Sequence, residues 1–233
     1  KYPSVTVAVD GHRRRGMRRL LALPEAERPQ VVVLDDAFQH RYVRPSLSIL
    51  VTDSHRLFTR DRLLPVGTLR EPRSGVRRAD MVVVTKCDPA MKPIESRIIE
   101  DELRIDISRP RFFTSIAYRR LEGVWPEECP ARELSSLGAD TDVLLIAGIA
   151  DPSPLIEELR RHTEQVVALT FPDHHTFHRT DIDKIRVALK KQRPETLILC
   201  TEKDAERLRT TPLFPAEWHA RTYALPIEAT FLF

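Results

Sequence analysis

Val31-Val32-Val33-Leu34-Asp35-Asp36-Ala37-Phe38-Gln39-His40 is the stretch on which the reading of this chain turns. Four consecutive apolar residues, three of them valine, have the composition of a buried parallel strand. Two carboxylates follow at once. In open α/β sheets ligands bind outside the carboxyl ends of the strands. An Asp in that position can hold Mg²⁺ bridging nucleotide phosphates. A second Asp beside it can orient a base, hold a metal-bound water or anchor His40. Capping of a following turn would account for one carboxylate, but a buried pair of like charges is costly without a cation.

Similar apolar runs recur on both sides, at residues 5–9, 47–51, 81–84, 143–146, 166–169 and 197–199. Between several of them lie helical patterns, at 13–23, 93–103, 154–161, 181–191 and 202–209. Pro93 suits a first helical turn, and Thr180 is the expected N-cap of the helix it precedes. Strands alternating with helices predict an α/β protein with mostly parallel sheets. The rhythm breaks between residues 109 and 140. There 112–118 and 119–125 read as two short strands, the second around Gly123, and an acidic, proline-flanked piece follows. The expected organisation is an N-terminal α/β domain over 1–118, a β linker over 119–140 and a smaller α/β domain over 141–233.

Composition narrows the classes. The chain has 233 residues, 42% hydrophobic and 30% charged, as an ordinary globular protein does. It has only 7 glycines, where average usage gives roughly 16, so little material is left for phosphate-cradling loops. The 18 prolines point to many fixed turns. The net charge of +3 is unevenly spread. Residues 1–78 carry 16 basic and 8 acidic side chains, a net of +8, and the remainder carries −5. The basic third would face phosphates, nucleic acid or an anionic membrane surface, or form a solvated arginine-rich face. Three scattered cysteines, Cys87, Cys129 and Cys200, form no C-x-x-C and read as reduced, cytosolic usage. The longest apolar run, 143–150, falls far short of the ~18–20 residues of a membrane span.

Further motifs carry candidate chemistry. In Arg62-Leu63-Leu64-Pro65-Val66-Gly67-Thr68-Leu69-Arg70-Glu71-Pro72, a proline-framed loop around Gly67 can present Arg70 to a phosphate, with Glu71 fixing the guanidinium. An ordinary surface ion pair is the alternative. Phe171-Pro172-Asp173-His174-His175-Thr176-Phe177 follows a strand, and a carboxylate beside two imidazoles suits a metal or a His–Asp pair tuning a base. Thr85-Lys86-Cys87-Asp88 is similar to the Asn-Lys-x-Asp loop with which GTPases read the base. Thr201-Glu202-Lys203-Asp204 reads as a helix start, with Thr201 as N-cap and acids in the first turn. No G-x-x-x-x-G-K-[ST] occurs. Gly11 and Gly16 have the glycine spacing, but Met17-Arg18 stand where the Lys and hydroxyl belong.

Taken together these motifs resemble the tetraacyldisaccharide 4'-kinase (lipid A 4'-kinase) family. Its pattern includes D-D-G-F-Q-H, L-L-P-x-G-x-L-R-E-P, A-G-I-A, F-x-D-H-x-x-[FY] and T-E-K-D. The chain shows them in order as 35–40 (with Ala37 for the usual Gly), 63–72, 147–150, 171–177 and 201–204. The resemblance implies a P-loop-NTPase-like sheet core and a smaller second domain. It also implies ATP-dependent phosphorylation of the 4'-hydroxyl of a tetraacyldisaccharide 1-phosphate. Asp35 would hold Mg²⁺. Asp36 and His174 would assist the base, with Asp173 orienting His174, and Gln39 and His40 would shape the floor of the site. Arg70 and Glu71 would serve phosphate, with Gly67 shaping their loop, and Thr85 and Lys86 would lie near the nucleotide base. ATP and the lipid A precursor would be the partners, with no nucleic acid, at the cytoplasmic face of a bacterial inner membrane. Arg13, Arg14, Arg15, Arg18 and Arg19 would meet the anionic leaflet or the substrate's phosphate. The family carries its Walker-A loop, a membrane-associating helix and an acidic base ahead of the region matched here. The expectation is therefore that these 233 residues alone have little or no kinase activity. Two other readings stay open on the residues. One is a metal-dependent phosphoesterase built from Asp35, Asp36, His40, Asp173, His174 and His175. The other is a non-catalytic nucleotide- or lipid-binding homologue.

Overall fold

The computed structural model describes residues 4–173 and 175–232. They divide into two compact units: one runs through Ser115 and takes up the chain again from Phe231, the other is Ile116–Thr230.

The first unit contains α1 (Arg13–Leu21), β1 (Ile49–Asp53), β2 (Met81–Thr85), α2 (Pro93–Leu103) and most of β3 (Arg111–Tyr118). Its sheet has the order β1-β2-β3-β10, where β10 is Ile227–Phe231. The pairs β1/β2 and β2/β3 are parallel. Strand alternation puts Val82 and Val84 on one face, with Leu57, Leu103 and Phe113. On the opposite face the edge strand β1 leaves Ile49 46% and Val51 60% exposed, while Met81 and Val83 of β2 are half-buried. Pro93 stands at the start of α2 as expected, and Glu95 there accepts from the backbone N–H of Lys92 at 2.6 Å.

Two expected strands do not form. Residues 5–9 and 31–34 pair with no other strand, and Val7, Val9 and Val33 are 83%, 97% and 86% exposed. An apolar run becomes a strand only where a neighbour satisfies its backbone groups, and no described segment does so here. The strand read at 47–51 forms two residues later, as β1.

The second unit has a six-stranded sheet in the order β5-β4-β9-β8-β6-β7, with β4 Arg120–Gly123, β5 Arg132–Glu133, β6 Val143–Ala147, β7 Val166–Thr170, β8 Leu197–Thr201 and β9 Thr222–Leu225. β7, β6, β8 and β9 are parallel neighbours; β4 runs antiparallel to β9 and to β5. The stretch 119–140, read as a connection, thus supplies two strands of this sheet. Every residue of β6 is buried, and alternate residues enter two cores. Leu144 and Ile146 pack with Ile198, Cys200 and the apolar faces of α4 (Arg179–Leu189) and α5 (Glu202–Thr210). Val143 and Leu145 pack with Leu197, Leu199 and α3 (Ser153–Arg160). This two-sided burial explains the unbroken apolar runs. The N-cap of α4 is His178 rather than Thr180, because Asp181 at the third helical position accepts the His178 N–H at 3.1 Å. Thr201 caps α5 as expected, its hydroxyl accepting from the Asp204 N–H at 3.2 Å.

Candidate functional site

In the first unit the sequence-selected residues fall on two loops that meet. Asp36 has φ 45, the left-handed region that Asp tolerates better than most residues. Its Oδ2 accepts from Nη1 of Arg70 at 2.9 Å. Both side chains are largely exposed, so the carboxylate pair is not buried as the strand reading expected. Asp35 is exposed and has no hydrogen-bond or ion-pair partner among the described residues. A free hard-oxygen donor of this kind fits Mg²⁺. The backbone N–H of His40 donates to the Ala37 carbonyl at 2.8 Å, so 37–40 is a turn that leaves Gln39 and His40 exposed.

Glu71 does not pair with Arg70. It accepts from Arg78 at 2.6 Å and from Arg41 at 3.2 Å. Burial would raise its carboxyl, but these two guanidinium groups outweigh it and hold Glu71 below the usual range. Arg78 also donates to the Phe38 carbonyl at 3.1 Å and lies 4.7 Å from the Phe38 ring centroid. Arg41 and Arg78 were not singled out from the sequence, and nothing in their spacing marks them.

The loop carrying Arg70 closes on itself. Leu69 N–H donates to the Arg62 carbonyl at 2.9 Å and Leu64 N–H to the Leu69 carbonyl at 3.0 Å. A Cβ on Gly67 would collide with the Arg62 backbone and the Asp61 carboxylate, so only glycine fits. Asp61, at the foot of this loop, was missed in the sequence, where its partner Thr68 stands seven residues on.

At the carboxyl ends of β1 and β2, Lys86 takes φ 58 and its ammonium donates to Asp53 at 2.7 Å. The Ser54 hydroxyl donates to the Lys86 carbonyl at 2.8 Å, and the Thr85 hydroxyl to the Thr52 carbonyl at 3.3 Å. Desolvation opposes ionisation of Asp53, but Lys86 and the His55 N–H prevail and lower it. A strained non-glycine backbone at a strand end is a frequent mark of a functional position.

In the second unit Asp173 is exposed after β7, and His174 lies outside the described residues. His175 is tied down: its Nε2 is 2.8 Å from Asp181, and its ring stacks on Phe171 at 4.9 Å. This contact anchors His175 to α4. Asp204 is fully buried, accepting from the Gly148 N–H at 2.8 Å and from the Thr201 hydroxyl at 2.7 Å, with Arg207 at 3.0 Å. The A-G-I-A and T-E-K-D motifs are therefore in direct contact across the ends of β6 and β8. Among the described residues no three of His, Cys, Asp or Glu gather as a metal site would, and no helix is long and apolar enough to cross a membrane.

The motif contacts accord with a comparison of the whole sequence. A family model described as tetraacyldisaccharide-1-P 4'-kinase matches residues 1–232. The chain belongs to this kinase family. The tetraacyldisaccharide 4'-kinase of Parabacteroides distasonis is 53% identical over 232 residues, covering 99% of this chain and 63% of that protein. Those of Bacteroides thetaiotaomicron and Flavobacterium johnsoniae are 46% and 39% identical over all of this chain, again covering 63% of each relative. The chain thus spans less than two thirds of the length of the curated kinases it matches. No solved structure matches it. Its mixed α/β architecture, with two mostly parallel sheets, is consistent with the P-loop-like fold of a kinase.

Proposed function

We propose that the protein carrying this chain transfers the γ-phosphoryl group of ATP to the 4'-hydroxyl of a tetraacyldisaccharide 1-phosphate, a lipid A precursor. The observation that carries the reading is the 2.9 Å contact between Arg70 and Asp36, which brings two family motifs together beside the open carboxylate of Asp35. Phosphoryl transfer asks mainly for in-line positioning and neutralisation of charge on the equatorial oxygens. The substrate oxygen bonds to the γ-phosphorus, the bond from phosphorus to the bridging oxygen breaks, and ADP leaves. The hydroxyl proton passes to a carboxylate base, which Asp36 assists.

Asp35 is the residue to hold Mg²⁺, which when bound neutralises phosphate oxygens. Arg70 stabilises the transferring group, and Asp36 keeps its guanidinium aimed. Glu71, Arg41 and Arg78 brace that loop from behind. Gln39 and His40 line the floor, and Thr85 and Lys86 border the nucleotide base. We place the protein peripherally at the cytoplasmic face of the inner membrane. What supports this is α1, which buries none of its residues and exposes Arg14, Arg18 and Arg19.

The test is mass spectrometry of the lipid product made by the complete protein from ATP. Wild type should give the 4'-phosphorylated disaccharide, and Asp35→Asn should lower the rate by about 10²-fold or more. The 233-residue chain alone should give little or none. Phosphate release without ATP, or wild-type rates from Asp35→Asn, would overturn the assignment.

A further inference from the structure

Asp61 is buried at the base of the loop that carries Arg70. Its carboxylate takes four donors. Oδ1 accepts from the Arg62 N–H at 2.7 Å and from the Thr68 N–H at 3.1 Å. Oδ2 accepts from the Thr68 hydroxyl, and Arg56 lies 3.3 Å away. Its backbone carbonyl is held by Arg73 at 2.6 Å. One carboxylate therefore ties the entry of the loop at Arg62 to its exit at Thr68, two residues before Arg70. Gly67 leaves no space between this carboxylate and the backbone. The bond from the Thr68 hydroxyl comes first among the causes that push the Asp61 carboxyl down to about 2, despite the burial that opposes them. The group is thus a permanent acceptor at any physiological pH.

We propose that Asp61 is a positioning residue: through Thr68 it sets the register of the 62–70 loop and so aims Arg70 at the transferring phosphoryl group. The inference rests on the kinase reading above. Asp61 touches neither Asp36 nor Arg70, so it acts only through the loop. Catalytic groups on loops need such a support, because displacement by about 1 Å can cost 10²-fold in rate.

The experiment is a double-mutant cycle in the complete protein, with kcat and KM measured for ATP and for the lipid acceptor. Asp61→Ala should lower kcat/KM by about 10²-fold and Thr68→Val by about 10-fold. Asp61→Asn, which keeps an acceptor for both amides and can pair with the hydroxyl through its own N–H, should recover most of the loss. On an Arg70→Ala background neither Asp61→Ala nor Thr68→Val should cost more, because the group they aim is gone. A core substitution such as Leu57→Ala would lower melting temperature without this coupling. Losses that multiply with that of Arg70→Ala, or an unchanged kcat/KM in both single variants, would overturn the proposal. If wild type shows no ATP-dependent transfer, the kinase reading fails, and amide exchange then decides the role of Asp61. Faster exchange of the Thr68 and Leu69 amides in Asp61→Ala than in wild type, with α2 unchanged, supports it; equal exchange refutes it.

Discussion

Single carboxylates in this chain are distinguished by what donates to them. Asp181 is buried and faces the His178 N–H, His175 and Lys184. Desolvation alone would raise it, but these donors together bring it down to about 2. A depressed carboxyl contributes stability that is complete above its unfolded value near 3.8 and is lost as pH falls through the folded value. Wild type should therefore lose roughly 2 kcal/mol more than Asp181→Asn between pH 4 and pH 2, read as urea midpoints at each pH. Parallel curves would show that Asp181 is not held in this way. Asp35, Asp36 and Arg70 could be singled out from the sequence because each lies in a contiguous motif, and the structure adds the contact between Asp36 and Arg70. Asp61 and Asp181 could not be singled out. One has its key partner seven residues on, and the other looks like any acid in a first helical turn. The Arg70–Glu71 pairing was misread for the same reason, since adjacent charges on a loop need not face each other.

At the scale of elements, a paired neighbour separates the apolar runs that became strands from those that did not. β6 and β8 have neighbours on each side and a core on each face, so their apolar sequence and their conformation agree. Residues 31–34 have a similar sequence and no ladder. The energetic consequence is large. Ile146→Ala, in the middle of β6, should cost about 2–5 kcal/mol, because the cavity cannot collapse between two packed layers. Val33→Thr should change stability by less than about 0.5 kcal/mol. Denaturant titration of both variants checks this contrast, and comparable losses would mean that residues 31–34 are packed after all. Helix bodies were read within about two residues, whereas the cap of α4 was not. Its capping carboxylate sits inside the helix at Asp181, and the first candidate hydroxyl, Thr180, drew the eye instead.

At the scale of the molecule, the glycine count and the charge asymmetry take on a definite sense. The chain has 7 glycines and no G-x-x-x-x-G-K-[ST], and in the first unit the edge strand β1 leaves Ile49 and Val51 exposed among the described residues. Residues 1–78 carry the net +8, and among them Arg41 and Arg78 pair with Glu71 while Arg70 pairs with Asp36 on the two carboxylate-bearing loops. In the reaction proposed above, Arg70 is the cation of this group that holds the transferring phosphoryl group, and Arg41 and Arg78 brace its loop through Glu71. The direct test is the initial rate of transfer from γ-labelled ATP to the 4'-hydroxyl by the complete protein, with Arg70→Ala measured beside wild type. Wild type should give labelled lipid, and the variant a rate lower by about 10²–10³-fold with its melting temperature little changed. Equal rates in the two proteins, or no label on the lipid from wild type, would contradict the reaction as proposed.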